Sequence, residues 1–477
     1  MGETIAAIAS GMTASGIGII RISGPEAFAV LESIFLPRTA ADVQNYKTNT
    51  IHYGWIKEYN GKCSRHQEQK LSMQEAASKE AVIDEVLVMI MRAPHTYTTE
   101  DTVEIDCHGG PYVMKRILEA VIAAGARPAE PGEFTKRAFL GGRIDLSEAE
   151  AVMDVIGSRS EDALKSSLMQ LSGSVRRAIS GIRTVLMDEL AYIEAALDDP
   201  EHMDLTGYPE ELAEKLQVPE QKLKELAATF DEGKMIRNGI LTVILGKPNA
   251  GKSSLLNALT GEDRAIVTDI EGTTRDILEE QIELGGLSLR IIDTAGIRDN
   301  SGDAIEQIGI ERARKYAADA DLLLAVFDAA RPLDDNDCEI LQIMQGRKAI
   351  AILNKSDLPP VVKEEELQKL AGAPVVRISA KELTGLTQME EYIRNMFFSG
   401  KLDFNEETVI TNIRHRDALM RSVESIRLVR ESIENGLPED FYSIDLMDAY
   451  RSLGEILGEE VSDDLVNTIF AKFCMGK

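Results

Sequence analysis

The sequence predicts a multidomain α/β protein: an N-terminal α+β domain precedes two helical tracts, and a doubly wound α/β domain is inserted between those tracts. Three observations lead to this prediction. The chain has 477 residues, which is too long for a single hydrophobic core. Strand and helix patterns alternate from about residue 237 to about residue 401. Helical periodicity fills the stretches directly before and after that segment.

Four segments follow from these patterns. Short strands separated by turn signals run from Thr4 to residue 91, as expected of an α+β domain. Ser147 and Glu150 form a capping-box signature, and the apolar residues from Leu164 to Leu197 recur like the seam of one long helix. Neither helical tract would bury its seam alone, so we expect the two to pack together. The predicted bounds are 1–141 for the N-terminal domain, 142–236 and 402–477 for the two parts of the helical domain, and 237–401 for the inserted domain.

Composition limits the class of protein. Fifty-two basic and eighty acidic residues give a net charge of −28, which argues against broad binding to polyanions. A nucleic-acid partner would therefore need a local basic patch or a second protein. The four cysteines form no CxxC pair, so neither a disulfide framework nor a structural zinc site is expected. No membrane-length apolar run and no signal peptide are recognised, which predicts a cytoplasmic protein without membrane contact.

The inserted domain opens with a phosphate-binding motif. Residues 246–253 read GKPNAGKS and fit the pattern GxxxxGK[ST], after the apolar run Ile240–Leu245 and before a helix-forming segment. In such a loop Gly246 and Gly251 let backbone N–H groups point at a phosphate chain. Lys252 reaches the terminal phosphates, and Ser253 offers its hydroxyl to Mg²⁺.

The motifs that follow identify the base as guanine. DTAG, residues 293–296, places an Asp at a strand end, where it can hold a Mg²⁺ water, and Gly296 can donate to a γ-phosphate. Asn354, Lys355 and Asp357 form NKxD, whose carboxylate accepts two donors from the guanine edge that adenine lacks. The run Ser379–Lys381 closes the base site. The segment is therefore predicted to be a GTPase.

The residue that orients the attacking water is not obvious. Ile297 follows DTAG at the place where many GTPases carry a glutamine, and an isoleucine cannot orient water. Two replacements are open: the carboxylate of Glu306, and a bound cation that receives the amide oxygen of Asn249. The alternative is that Asn249 only forms a turn and Glu306 lies on a solvated helix surface.

Two N-terminal stretches, residues 92–110 and 127–151, contain more glycine, proline and charged residues than structure alone requires. In the first, alternation places Val103 and Ile105 on one face of a strand and Glu104 and Asp106 on the other. Both stretches are consistent with turns and helix caps, and equally with a ligand site.

With these motifs the chain resembles the family of tRNA uridine-5-carboxymethylaminomethyl modification GTPases, MnmE (also called TrmE), within the TrmE-Era-EngA-like GTPases. The resemblance runs from IIRISG near the N-terminus to FCMGK at the end. Its specific marks are the two dense stretches, GKPNAGKSSLLNAL, IVTDIEGTTRD, DTAGIR, IGIERA and the terminal Cys-x-Gly-Lys.

The resemblance implies a homodimer formed through N-terminal domains of a folate-binding, aminomethyltransferase-like fold, with a Ras-like P-loop G domain inserted in a discontinuous helical domain. It implies that K⁺ fills the arginine-finger position, that Glu306 positions the water, and that Lys252 is catalytic. K⁺ would contact Asn249, Thr268, Ile270 and Thr273, and Mg²⁺ would contact Ser253 and Thr274. The implied GTP-binding residues are Asn249, Ala250, Gly251, Lys252, Ser253, Ser254, Thr268, Asp269, Ile270, Glu271, Gly272, Thr273, Thr274, Asp293, Thr294, Ala295, Gly296, Asn354, Lys355, Asp357, Ser379, Ala380 and Lys381.

A second implied site binds a tetrahydrofolate derivative, either 5-formyl- or 5,10-methylenetetrahydrofolate. Its residues would be Arg21, Glu104, Arg143 and Lys477, whose charges suit an anionic glutamyl tail and a polar pterin. Cys474 matches a tail cysteine proposed in the family to take part in the chemistry. A buried, inert thiol is the alternative reading.

The implied activity is GTP hydrolysis coupled to tRNA modification. With the FAD-dependent partner MnmG, in a heterotetramer or larger complex, such a protein adds an aminomethyl or carboxymethylaminomethyl group to C5 of the wobble uridine, position 34, of certain tRNAs. Two rival functions stay open. One is a regulatory GTPase switch in ribosome or RNA assembly without modification chemistry. The other is a folate aminomethyltransferase whose G domain takes no part in the activity.

Overall fold

The computed structural model describes residues 2–39, 42–59, 82–199, 201–202, 205–264, 279–292, 315–398 and 408–476. The chain divides into two compact units, Met1–Met153 with Gly454–Lys477, and Asp154–Leu453. Within the described ranges, no helix is both long and apolar enough to cross a membrane.

The strands of the described residues are β1 (Ile5–Ile8), β2 (Gly18–Ser23), β3 (Phe35–Pro37), β4 (Thr50–Lys57), β5 (Val82–Met91), β6 (Thr102–Cys107), β7 (Arg127–Pro128), β8 (Ile240–Gly246), β9 (Glu279–Leu284), β10 (Leu287–Ile292), β11 (Leu322–Asp328), β12 (Ala349–Asn354) and β13 (Val375–Arg377). The helices are α1 (Ala27–Ile34), α2 (Pro111–Ala123), α3 (Glu133–Leu140), α4 (Leu146–Gly157), α5 (Glu161–Leu171), α6 (Ser174–Asp198), α7 (Tyr208–Lys215), α8 (Gln217–Ala228), α9 (Phe230–Asn238), α10 (Lys252–Arg264), α11 (Asp335–Met344), α12 (Glu364–Ala371), α13 (Leu386–Phe397), α14 (Ile413–Glu434), α15 (Glu439–Leu457) and α16 (Asp463–Phe470).

The first unit is built on a sheet of order β3-β4-β5-β6-β2-β1-β7, antiparallel except for the β1–β7 pair. One face packs against α1 and α2, and Val103 and Ile105 are fully buried in that core. Glu104 and Asp106 alternate with them and are only half-buried. The predicted α+β class and the predicted alternation are both confirmed.

The C-terminal tail packs within the same unit. Phe470 and Phe473 join an apolar cluster with Ala138 and Leu146. Further along, Gly476 has φ of 91° and lies so close to the carbonyl of Ile8 that a Cβ would overlap it. Because this tail belongs to the first unit, the two units do not correspond one to one with the four predicted segments, whose bounds stay a prediction.

The second unit contains a six-stranded sheet of order β13-β12-β11-β8-β10-β9, parallel except for the antiparallel β9–β10 pair. Separate apolar clusters cover its two faces, and every residue of β11 is buried. Burial on both faces explains why β8, β11 and β12 are nearly continuous apolar runs. The doubly wound fold is confirmed, and Gly285 and Gly286, at φ of 58° and 85°, form the predicted hairpin turn.

The first helical tract differs from the prediction of one long helix. The predicted seam lies on two helices, because Gly173, at φ of 82°, ends α5 before α6, and Ser160 caps the start of α5. The seam is buried from Val175 to Ile193 on α6, but Leu197 is 38% exposed, and Leu164 and Leu168 on α5 are 40% and 48% exposed. The buried residues of α5 are small or polar instead, among them Ala163, Ser166 and Gln170.

The cap of α4 also differs from the prediction. Asp145, not Ser147, accepts from the backbone N–H of Glu148 at 2.8 Å. The Glu148 carboxylate accepts in return from the N–H of Asp145 at 2.8 Å. Both pairs have the i, i+3 spacing of a capping box, so spacing alone did not distinguish them.

A buried ion-pair cluster on α3 stabilises the first unit above acidic pH. Burial by itself would raise the pKa of Glu133, but hydrogen bonds from Arg127, from the N–H of Glu130 and from Arg137 lower it to about 2. The Glu133 side chain is 10% exposed, and its carboxylate lies 2.6 Å from Arg127 and 2.9 Å from Arg137. Relative to the ordinary value of 4.5, this corresponds to a stabilisation of about 3 kcal/mol.

We expect Glu133→Gln to lower the free energy of unfolding by about 3 kcal/mol at pH 7, because two arginines lose their buried anion. The loss should shrink as the pH falls from 4.5 toward 2, where the wild-type carboxylate becomes protonated. Trp55, the single tryptophan, is buried in the same unit and reports its unfolding in urea. Glu3→Gln, which removes the exposed partner of Arg127, is the matched control and should change stability little. A pH-independent loss would contradict this account.

Candidate functional site

The phosphate loop joins β8 to α10. Gly246, Asn249 and Gly251 have φ of 153°, 65° and 100°, so the chain doubles back on itself in conformations that favour glycine and asparagine. The ammonium of Lys252 donates to the carbonyls of Gly246 at 2.7 Å and Lys247 at 2.9 Å. The loop is thereby folded around its own lysine, at the carboxyl end of the central strand.

Asn354 joins the phosphate loop to the base loop, residues 354–357, and to the loop of residues 379–381. Its side chain is 2% exposed, donates to the carbonyl of Ala250 at 3.0 Å and accepts from the N–H of Ala380 at 3.2 Å. Gly251 packs so tightly against this amide that a Cβ would overlap Asn354 Nδ2. The residue predicted to contact the base therefore also joins three loops of the site.

The exposed carboxylate of Asp357 is oriented and kept ionised. It accepts from the Ser379 hydroxyl at 2.8 Å, and that hydroxyl accepts from the N–H of Glu382 at 3.2 Å. The Ser379 hydrogen bond, together with a backbone N–H and the charges of Lys381 and Lys355, lowers the pKa of Asp357. A fixed carboxylate of this kind can accept two parallel donors from a planar base.

Lys355 is held by Asp328, a residue outside the predicted motifs. Its φ is 63°, and its ammonium donates to the carboxylate of Asp328 at 2.6 Å. Burial alone would raise the pKa of Asp328, but the Lys355 hydrogen bond and the N–H of Ala330 lower it. The available signal was the position of Asp328 at the end of an apolar strand, next to the strand that ends in Asn354.

In the first unit, three of the predicted charged residues come together. The Arg21 guanidinium donates to Glu104 at 2.7 Å, across the β2–β6 pairing, and to the carbonyl of Gly476 at 3.2 Å. Tyr97 links them to Arg143: its ring centroid lies 4.5 Å from the Arg143 guanidinium and 5.5 Å from that of Arg21. Tyr97 was not predicted, although it belongs to the dense stretch 92–110.

Cys474 is exposed, not buried as the alternative reading expected, and its part in any chemistry stays a prediction. Ser253, in the first turn of α10, is exposed as well, and Asn249 lies at the exposed tip of the loop. The remaining predicted residues lie outside the described ranges: Thr268, Asp269, Ile270, Glu271, Gly272, Thr273, Thr274, Asp293, Thr294, Ala295, Gly296, Ile297, Glu306 and Lys477.

Comparison with known proteins covers the whole chain. Residues 146–474 match the family model of the MnmE helical domain, and residues 4–143 match that of the GTP-binding protein TrmE N-terminus. The tRNA modification GTPase MnmE of Lachnoclostridium phytofermentans is 52% identical over 476 residues, which cover 100% of this chain and 99% of that protein. The corresponding protein of Acetivibrio thermocellus is 46% identical over 479 residues, again covering 100% and 99%.

Among solved structures, the G domain of the T. maritima FeoB iron transporter is 30% identical over 33% of this chain and 98% of its own, with a TM-score of 0.26. At that TM-score the assignment of a G-domain fold depends on the strand order and on the phosphate loop after β8, not on the overlap.

Proposed function

Because the chain belongs to the MnmE family of tRNA modification GTPases, we propose that it hydrolyses GTP to drive modification of C5 of the wobble uridine, position 34, of certain tRNAs. The added group is an aminomethyl or carboxymethylaminomethyl group, and its one-carbon unit comes from a tetrahydrofolate. The FAD-dependent protein MnmG is the partner, in a complex with a homodimer of this chain in the cytoplasm. With a net charge of −28, the chain relies on a local patch or on its partner to hold tRNA.

The observation that carries the GTPase proposal is that Asn354 joins the phosphate loop to the base loop. The glycine conformations leave a cradle of backbone N–H groups with no Cβ in the way at Gly246 and Gly251. Asp357 supplies an ionised acceptor for the guanine edge, and Lys252 supplies a positive charge at the phosphate end. These residues fit a guanine nucleotide and bind and orient it.

Two cations complete the proposed site. Ser253 and Thr274 would hold Mg²⁺, and Asn249, Thr268, Ile270 and Thr273 would hold K⁺. When bound, these ions neutralise the charge that develops on the phosphates. The oxygen donors suit such hard cations, and the exposed positions of Ser253 and Asn249 leave both side chains accessible to them. Glu306 is proposed to orient the attacking water.

We expect GTP turnover to rise at least about tenfold when K⁺ replaces Na⁺, because the cation substitutes for an arginine finger. Asn249→Ala should abolish the stimulation. Asn249→Gly is the better variant, because glycine keeps the left-handed backbone and removes only the amide. Turnover in K⁺ and in Na⁺ is measured at saturating GTP and Mg²⁺. Equal stimulation of wild type and Asn249→Gly would contradict the assignment of Asn249 to the cation.

The first unit is proposed to bind the folate through Arg21, Glu104, Arg143 and Lys477. Both guanidinium groups lie against the ring of Tyr97, and two neighbouring cations suit the carboxylates of a glutamyl tail. The carbonyl of Gly476, the residue before Lys477, accepts from Arg21. The exposed Cys474, two residues earlier, is the proposed thiol of the tail chemistry.

We expect Arg143→Ala to weaken binding of 5-formyltetrahydrofolate at least about tenfold, since it removes a charge-assisted contact from a carboxylate. Calorimetric titration of the full-length protein measures the affinity. Arg38→Ala is the matched control, because the exposed Arg38 also lies over a tyrosine, Tyr53, in the same unit. A wild-type protein without folate affinity would favour the regulatory GTPase switch over the modification enzyme.

A further inference from the structure

Six charged side chains next to the nucleotide site form a series of successive ion pairs. We call this series the charge row. Its members are Lys247, Asp334, Asp337, Arg331, Asp328 and Lys355. The row begins in the phosphate loop and ends in the NKxD motif. Its three cations and three anions balance, so the row carries no net charge.

At the first end of the row, ion pairs to Lys247 hold the phosphate loop in place. The Lys247 side chain is 9% exposed, and its ammonium pairs with Asp334 and lies 3.6 Å from the carboxylate of Asp337. Asp337 is itself 2% exposed. A buried ammonium needs its counter-ion, because removing one partner leaves the other charge desolvated and unpaired. Lys247 is therefore held by the start of α11.

The other end of the row fixes the base loop. Arg331 lies between the two buried carboxylates, with Nη2 3.9 Å from Asp337 and Nε 3.9 Å from Asp328. Asp328 accepts from Lys355 at 2.6 Å. A single arginine thus lies within ion-pair distance of the carboxylate beside Lys247 and of the carboxylate that holds NKxD, and at 3.9 Å it donates a hydrogen bond to neither of them.

We propose that Asp337 and Arg331 are positioning residues that set the spacing between the phosphate loop and the base loop. The inference rests on the GTP binding proposed above, and neither residue is assigned to contact the nucleotide. One end of the row reaches the proposed phosphate site through Lys252, because the carbonyl of Lys247 accepts from the ammonium of Lys252 at 2.9 Å. When Asp337 loses its charge, Lys247 keeps only the half-exposed Asp334 as its counter-ion, so its side chain shifts toward Asp334 and the carbonyl that orients Lys252 shifts with it.

The test is nucleotide binding by the full-length protein, with fluorescent methylanthraniloyl-GDP as the probe. Asp337→Asn should weaken GDP binding about tenfold, mostly through faster release, and should raise KM for GTP while kcat stays within about twofold. Asp335→Asn is the matched control: Asp335 is exposed in the same turn of α11, and the variant makes the same change in net charge. Equal GDP affinity for Asp337→Asn and Asp335→Asn would overturn the proposal.

A second variant covers the case in which Asp337→Asn does not fold. Asp334 has a half-exposed side chain and caps α11, and asparagine caps helices as well as aspartate does. Asp334→Asn should therefore keep the fold and weaken GDP binding about threefold. Unchanged GDP affinity in this variant would overturn the role of the row.

A double-mutant cycle separates positioning from general loss of structure. If Arg331 transmits the effect, Asp337→Asn should weaken GDP binding less in an Arg331→Met background than in wild type. Effects that multiply independently would overturn the link through Arg331. Wild-type protein that binds no GDP would instead refute the proposed GTPase, and the inference with it, whereas a normal wild type with an unaffected variant refutes the inference alone.

Discussion

Asp357→Asn should lose at least about 100-fold in GTP affinity and should bind xanthosine triphosphate in its place. The carboxylate accepts two donors from guanine, and hydrogen bonds to a charged acceptor contribute about 1.5–3 kcal/mol each. An asparagine offers one acceptor and one donor, so it repels the guanine amino group and matches the carbonyl that xanthine carries there. Competition between the two triphosphates for the full-length protein measures the exchange.

The Ser379 hydrogen bond makes this prediction sharper. Ser379 donates to Asp357 Oδ1 at 2.8 Å and can donate equally to the amide oxygen of an asparagine. The new amide is therefore held with its oxygen beside Ser379, where a second lone pair still accepts from the base N1–H, and with its NH₂ toward the position of the guanine amino group. Ser379→Ala should weaken binding of GTP moderately without creating affinity for the xanthine nucleotide. A variant Asp357→Asn that keeps its preference for GTP would contradict the assignment of the base site.

Gly251→Ala should abolish nucleotide binding while the protein stays folded. At φ of 100° an alanine is strained, and its Cβ overlaps the Asn354 amide that joins the phosphate and base loops. Either the loop or Asn354 must move, and both hold groups that bind nucleotide. We expect GDP affinity to fall at least about 100-fold, as measured with the fluorescent nucleotide.

Gly346→Ala is the matched control for this variant. Gly346 lies in the same unit, at φ of 74°, and nothing lies within 4 Å of its hypothetical Cβ. Its substitution introduces backbone strain of about 1–2 kcal/mol without a collision, so stability should fall while GDP affinity stays unchanged. Similar losses of GDP affinity in both variants would show that strain, not the overlap with Asn354, is responsible.

Much of the fold was predictable because the hydrophobic period of a segment and the residues that end the segment are local properties of the sequence. The buried strands of the second unit are continuous apolar runs, and the seam from Val175 to Ile193 has the helical period. The break at Gly173 was not predicted, because a single glycine inside a helical pattern can be tolerated, so its presence alone does not mark a helix end. Docking of Phe470 and Phe473 into the first unit depends on contacts far apart in sequence, which periodicity does not reveal.

The site shows the same division. The phosphate loop, Asn354 and Asp357 were recognisable because their chemistry depends on fixed spacing along the chain. Asp328 and Tyr97 were not, because each acts through a neighbour contributed by another element, Lys355 in one case and Arg21 with Arg143 in the other. The charge row was hidden for the same reason: its members come from the phosphate loop, from β11 and the turn after it, from α11 and from NKxD.

The central claim is that GTP hydrolysis by this chain serves a modification of the tRNA wobble uridine. The most direct measurement is the nucleoside composition of tRNA from a strain that lacks the gene, complemented with wild type or with Lys252→Ala. The wild-type gene should restore the C5-modified uridine, and Lys252→Ala should not, because its phosphate loop has lost the ammonium that reaches the phosphates. Full restoration by Lys252→Ala, or none by wild type, would contradict the account.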